Sequence, residues 1–282
     1  MESTSGQFIA VKEIIFDETD KNKAARVGKS RLTAGLARHV VQIAQSLDHP
    51  RILPYLGHLM KDNKFSILTE FFPGGTLGAC LRKYGKFGEL QASNFTRQIL
   101  EGLAYMHSEG VIHRDLKADK IYLDLNGTCK IGWNLMMERV DHPYGEGVPE
   151  TRLWSTYWQG PEVIRSEGLN YTPKSDIWSL GCLLLELVSG QRPFSEEEVI
   201  GTIYRLGTLS VSPPIPDDII GELRAETFAF LYDCWTIDVK ERPTAENLLL
   251  SPFCYIDKSH DFLDSDLYGK IRAGFLPDQI GK

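Results

Sequence analysis

The sequence predicts an α+β chain of two unequal lobes: a small strand-rich one over residues 1–72 and a larger helical one over 73–253, followed by an extension over 254–282. Three observations predict it. Residues 8–16, 54–60 and 64–70 are short runs rich in β-branched and aromatic side chains, which read as strands. Residues 89–109 carry Ala92, Phe95, Ile99, Leu103 and Met106 at helical spacing, with Gly110 just past the end. Between the two kinds of segment, Pro73-Gly74-Gly75-Thr76 breaks the chain and sets the lobe boundary.

Composition narrows the function classes. A chain of 282 residues with 42% hydrophobic and 24% charged side chains reads as globular. A net charge of -7 argues against a general nucleic-acid binder. The five cysteines, Cys80, Cys129, Cys182, Cys234 and Cys254, are odd in number and show no CxxC spacing, which predicts reduced thiols and a cytosolic or nuclear setting, with a cytoplasmic one taken as the reading. The first residues are polar and show no secretory leader. The most apolar run, 177–188, contains Glu186 and is too short to span a bilayer, so no membrane partner is expected.

In chain order, the first strand alternates so that Ala10, Lys12, Ile14 and Phe16 share one face. Residues 21–31 hold five basic side chains and read as a solvated connection. Gly28-Lys29-Ser30 imitates the end of a phosphate-binding P-loop, but Lys23 stands where that motif needs glycine. Residues 31–47 follow as a helix with Leu32, Leu36, Val40, Ile43 and Leu47 in one apolar stripe. Asp62-Asn63 turns the next two strands. Further on, Asn126-Gly127 turns a hairpin over 121–131. Ser195 and Glu198 have the spacing of a capping box for the helix after them, and Pro213, Pro214 and Pro216 make a rigid loop.

His113-Arg114-Asp115-Leu116-Lys117-Ala118-Asp119-Lys120 resembles the catalytic loop of protein kinases, H-R-D-L-x-x-x-N, with Lys120 in place of the final Asn. Ala10-Val11-Lys12 resembles the V-A-I-K strand, and Thr69-Glu70-Phe71-Phe72 resembles the gatekeeper and hinge that receive adenine. Trp158-Gln159-Gly160-Pro161-Glu162 is similar to W-M-A-P-E, and Asp176-Ile177-Trp178-Ser179-Leu180-Gly181 to D-x-W-S-x-G, whose apolar helix is the core of the large lobe. The chain thus resembles Ser/Thr kinases of the MAP kinase kinase kinase family over about residues 8–253. The resemblance implies a two-lobed protein-kinase-like fold. It also implies roles for Asp115 as base and for Lys117 and Ser155 beside it. Ala10, Lys12, Glu70 and Tyr122 would surround a nucleotide, Tyr122 lying under the adenine, and a buried pair would join Glu162 to Arg242.

The departures from the pattern carry the functional expectation. Where the family has D-F-G the chain has Trp133-Asn134-Leu135, so both magnesium ligands, this Asp and the loop Asn, are replaced. Counting back from Asp48-His49-Pro50, the glutamate that orients the strand lysine falls on Val40, and no glutamate lies between Glu18 and Glu70. Only Gly6 precedes Lys12, so the glycine-loop hairpin is expected to be missing, leaving residues 8–16 as an edge strand open to a second copy or a partner's strand. Asn134 in place of the aromatic ring is expected to weaken the apolar column between the lobes. The reading is a pseudokinase that acts on protein partners, an active kinase or a kinase substrate. ATP binding is expected to be weak or absent, with Lys117 and Lys120 neutralising phosphates, and no magnesium site. The competing reading is a weak Ser/Thr kinase.

Overall fold

A computed structural model describes residues 8–15, 34–61, 64–134, 136–140, 155–166, 171–255 and 261–274. The small lobe is a three-stranded antiparallel sheet, β1 (Ile9–Ile15), β2 (Tyr55–Lys61) and β3 (Lys64–Glu70), in the order β1-β3-β2. The β1–β3 register sets Ala10 opposite Thr69 and Lys12 opposite Ile67. Strand alternation on β3 buries Phe65, Ile67 and Thr69 on one face. Among the described residues β1 is an edge strand, the arrangement expected from its sequence.

Helix α1 (Ala34–Ser46) buries Val40 and Ile43 in the core, and Leu47 just past its end is buried with them; these are the part of the predicted stripe that lies within the described side chains. Val40 is 1% exposed, a methyl-bearing core residue at the position where a carboxylate would have faced Lys12. The basic stretch 21–31, the Asp62-Asn63 turn and Phe16 lie outside the described residues.

The large lobe is helical: α2 (Leu77–Tyr84), α3 (Glu89–Ser108), α4 (Pro161–Arg165), α5 (Pro173–Ser189), α6 (Val199–Tyr204), α7 (Asp217–Ile220), α8 (Ala225–Cys234), α9 (Ala245–Leu249) and α10 (Asp266–Ala273). In α3 the five predicted inward positions are all essentially inaccessible. Helix α5 is apolar nearly all round, which only a central position in the core can satisfy. It starts with the Thr172 N–H donating to the Ser175 hydroxyl at 3.1 Å and stops at Gly190 in the left-handed conformation, which glycine adopts without a Cβ clash. All five cysteines are buried free thiols, four in this lobe and Cys254 at the first residue after it, packed in the same core.

Two small antiparallel pairs complete the lobe. β5 (Ile121–Leu123) pairs with β6 (Cys129–Ile131), and β4 (Val111–Ile112) pairs with β7 (Glu138–Arg139). The hairpin loop, Asp124 to Thr128, is longer than the expected two-residue Asn-Gly turn: Asp124 N–H donates to the Thr128 carbonyl at 2.9 Å, Gly127 N–H to that of Asp124 at 3.2 Å, and of the Asn-Gly pair only Gly127 has a positive φ, +81°. β6 also ties the lobes together, because Leu53 N–H donates to the Ile131 carbonyl at 2.9 Å and Ile131 N–H to that of Arg51 at 2.8 Å.

One local expectation fails. Helix α6 starts after Glu198, with no side chain capping it, so Ser195 and Glu198 form no capping box. The Arg192 guanidinium explains the difference: it donates to the carbonyls of Phe194, Ser195 and Glu197, and this holds residues 194–197 as a turn outside the helix.

Candidate active site

The catalytic-loop segment is fixed from below. Asp176 on α5 is fully buried and accepts from the backbone N–H groups of His113 and Arg114, each at 2.8 Å, and lies 2.9 Å from His107 Nε2. Burial pushes this carboxyl up, but the His107 ring and the other donors outweigh it and hold it below the usual carboxylate range. The clamp keeps Arg114 at φ +65°, a left-handed conformation that costs a non-glycine residue about 1–3 kcal/mol.

The structure brings Asp115, Lys117, Lys120 and Ser155 into one cluster. Lys117 Nζ lies 3.3 Å from one Asp115 carboxylate oxygen and donates to Ser155 Oγ at 2.8 Å, while Ser155 donates to the same Asp115 oxygen. Lys120 Nζ lies 3.2 Å from the other oxygen. Burial pushes the Asp115 carboxyl up, yet Lys120, then Lys117 and the Ser155 hydroxyl, hold it below the usual range. Both oxygens are therefore occupied by donors, and the cation on the second stands at the place of a family metal ligand.

Lys12 projects from β1 with solvent access. Crowding by protein atoms, then repulsion from Lys120, lowers its ammonium to about 8, with Asp115 pulling the other way. Because the side chain keeps solvent contact, hydration weakens both the crowding and the repulsion behind this shift. No carboxylate among the described residues pairs with Lys12. Glu70 is drawn to Lys130 at 2.9 Å, and Tyr122 sets its ring edge against Phe72 with centroids 6.0 Å apart and covers Gly132.

The residues do not fit magnesium, which needs oxygen ligands. Trp133 is 5% exposed, packs edge-on against Tyr55 with centroids 6.3 Å apart, and leaves its indole N–H without a partner. Asp119 is exposed and pairs with Arg82 at 2.8 Å, and an Asp124 oxygen accepts from the Leu125 N–H at 2.6 Å. Among the described residues no group of three or more His, Cys, Asp or Glu side chains could hold a metal ion.

Asn134 corrects an expectation. Its amide is not a weak spot: Nδ2 donates to the His113 carbonyl at 3.1 Å and Oδ1 accepts from Met136 N–H at 2.7 Å. A buried amide costs stability only when unpaired, and this one is paired on both sides. His113 Nδ1 takes the Asp115 N–H at 3.3 Å and Nε2 faces the Gly132 carbonyl at 3.0 Å, so burial keeps the ring neutral. A hydrogen-bonded link thus stands where the resemblance has an aromatic ring.

Sequence reasoning missed Glu186. Its carboxylate accepts from Ala118 N–H at 3.2 Å and Trp158 Nε1 at 3.1 Å, bracing the loop against the segment that carries Ser155, and burial pushes it up to about 7. The D-x-W-S-x-G helix placed it; only its period relative to Asp176 could have signalled which way it faces.

The protein kinase domain family matches residues 1–254. This chain belongs to that family. It is 44% identical to the mitogen-activated protein kinase kinase kinase MCK1 of Pyricularia oryzae over 98% of its own length and 18% of the relative's. It is 38% identical to the MAP kinase kinase kinase mkh1 of Schizosaccharomyces pombe over 96% of its length and 24% of the relative's. The figures for the serine/threonine-protein kinase BCK1/SLK1/SSP31 of Saccharomyces cerevisiae are 35%, 96% and 18%. The chain therefore spans less than a quarter of the length of these MAP kinase kinase kinase relatives. The two-lobed kinase fold predicted from the motifs is the family's fold. No described helix is long and apolar enough to cross a membrane.

Proposed function

We propose that this kinase domain is catalytically silent and acts by binding, as a scaffold or allosteric partner of an active kinase or a kinase substrate. The observation that carries the reading is the state of Asp115, whose two oxygens are held by Lys117, Ser155 and Lys120. A base must be free to accept the substrate's proton. Trp133 and Lys120, at the two metal-ligand positions, offer no oxygen to magnesium. Radiolabelled ATP with a generic acceptor and magnesium or manganese is expected to give no incorporation above an Asp115→Ala control. Incorporation that depends on Asp115 would establish the competing reading, a weak Ser/Thr kinase, which the hydrogen-bonded set of Asp115, Lys117 and Ser155 favours.

Nucleotide, if it enters, meets three lysines: Lys12, Lys117 and Lys120. In this reading Ala10, Glu70 and Tyr122 would surround the adenine; Ala10 stands opposite Thr69 and Ile9 opposite Glu70 in the β1–β3 pair. If ATP binds, the melting-temperature rise it gives is expected to be unchanged by EDTA, since ammonium groups replace the metal's charge, and no rise under either condition would favour a pocket closed under Tyr122. A rise abolished by EDTA contradicts this. The reading also places β1 as a site where a second copy or a partner's strand adds to the sheet, and a cytoplasmic setting, supported by five free thiols.

A further inference from the structure

Kinase activation segments are commonly ordered when a new phosphate pairs with an arginine. We propose that in this chain Glu138 supplies that counter-ion permanently, so the start of the segment after the catalytic loop is fixed without phosphorylation. The inference does not depend on whether the domain transfers phosphate.

Arg114 is the arginine in question. It is 7% exposed, its backbone is held by Asp176, and its guanidinium lies 4.3 Å from the centre of the Tyr171 ring. A guanidinium so enclosed is stable only opposite an anion. Glu138 provides one, its carboxylate accepting directly from Arg114 Nη1. That carboxylate sits on β7, whose partner β4 leads straight into His113, so the ion pair closes a short circuit between the segment and the loop it follows.

The strand that carries it is anchored on both sides. Ile112 pairs with Glu138 and Val111 with Arg139 in the ladder. Val140 N–H donates to the Gly110 carbonyl at 2.8 Å, and Arg139 reaches Ser46 Oγ at the end of α1 at 2.6 Å. A carboxylate carried by the chain itself needs no enzyme to install it. A phosphate brought to the same arginine would meet Glu138 as a like charge, which opposes docking.

The test uses the full chain expressed in bacteria and shown by intact mass to carry no phosphate. Hydrogen exchange is followed in peptides covering 110–113 and 136–140, with α5 peptides as the reference for global opening. The unmodified wild type is expected to protect both segments. Glu138→Gln, which keeps the shape and removes the charge, is expected to exchange at least about tenfold faster in both, with α5 unchanged. Glu138→Asp, which keeps the charge on a shorter arm, is expected to fall between them and serves if the glutamine variant does not fold. Unprotected segments in phosphate-free wild type, or wild-type protection in Glu138→Gln, would overturn the proposal.

Discussion

Arg242→Ala is expected to yield mostly insoluble protein, with any soluble fraction destabilised by about 3–5 kcal/mol. Arg242 is completely buried and makes a two-pronged contact with Glu162, Nη1 at 2.8 Å and Nη2 at 3.1 Å. The same guanidinium donates to the carbonyls of Thr236 and Lys174, and its centre lies 5.1 Å from that of the Trp178 ring. Deleting it strands a carboxylate and two carbonyls at once. A domain holds only about 5–15 kcal/mol in total, so this loss is a large share. Thermal melting of the soluble fraction is the measurement; a variant within a degree or two of wild type shows that the pair is not structural. Glu162→Gln is expected to cost less, because the amide keeps one acceptor for the guanidinium and stays in partial contact with solvent.

Asp176→Ala is the second large effect, again about 3–5 kcal/mol, since it leaves two buried backbone N–H groups and the His107 ring without their acceptor. Arg114 then relaxes from its left-handed conformation, and Asp115 turns away from the Lys117 and Lys120 ammonium groups. The pH dependence has a definite sign. The carboxyl titrates lower when folded than when unfolded, so its contribution is fully present above about pH 4, the ordinary range for Asp, and is lost as pH falls through the folded value. Denaturant titrations at pH 7 and pH 3 are expected to separate wild type from Asp176→Ala more widely at the higher pH than at the lower. An equal gap at both values shows that Asp176 is not held as an anion.

Much of this architecture is legible in residue order because local rules decide it. Strand β3 and helix α3 begin where alternation and helical spacing place them, since each buries one face against a continuous core. The Glu162–Arg242 contact is legible too, from family motifs 80 residues apart. The two-residue pair β4–β7 is not, because two residues carry no period. Ser195 and Glu198 mislead because a capping box is a local signal, and the Arg192 guanidinium claims the neighbouring carbonyls first. Asn134 misleads for the opposite reason: a polar residue at an apolar position is read as a cost until its partners, 21 residues back and two ahead, are known. At the site, residue types alone identify the lost metal ligands. That Lys120 lies on Asp115 itself is decided by the fold of the loop.

The placement of the thiols gives the molecule a built-in clock. Burial pushes the Cys80 thiol up to about 11 and Cys254 to about 12, and Cys129, Cys182 and Cys234 are raised as well, so the reactive thiolate is scarce in the folded state. An alkylating or disulfide reagent then gains access only when the helical lobe opens. The strand-rich lobe has no cysteine and is silent to the same reagent. The labelling rate therefore times the unfolding of one lobe alone, and a single cysteine introduced at an exposed position of β2 would let the two lobes be timed separately in the same tube.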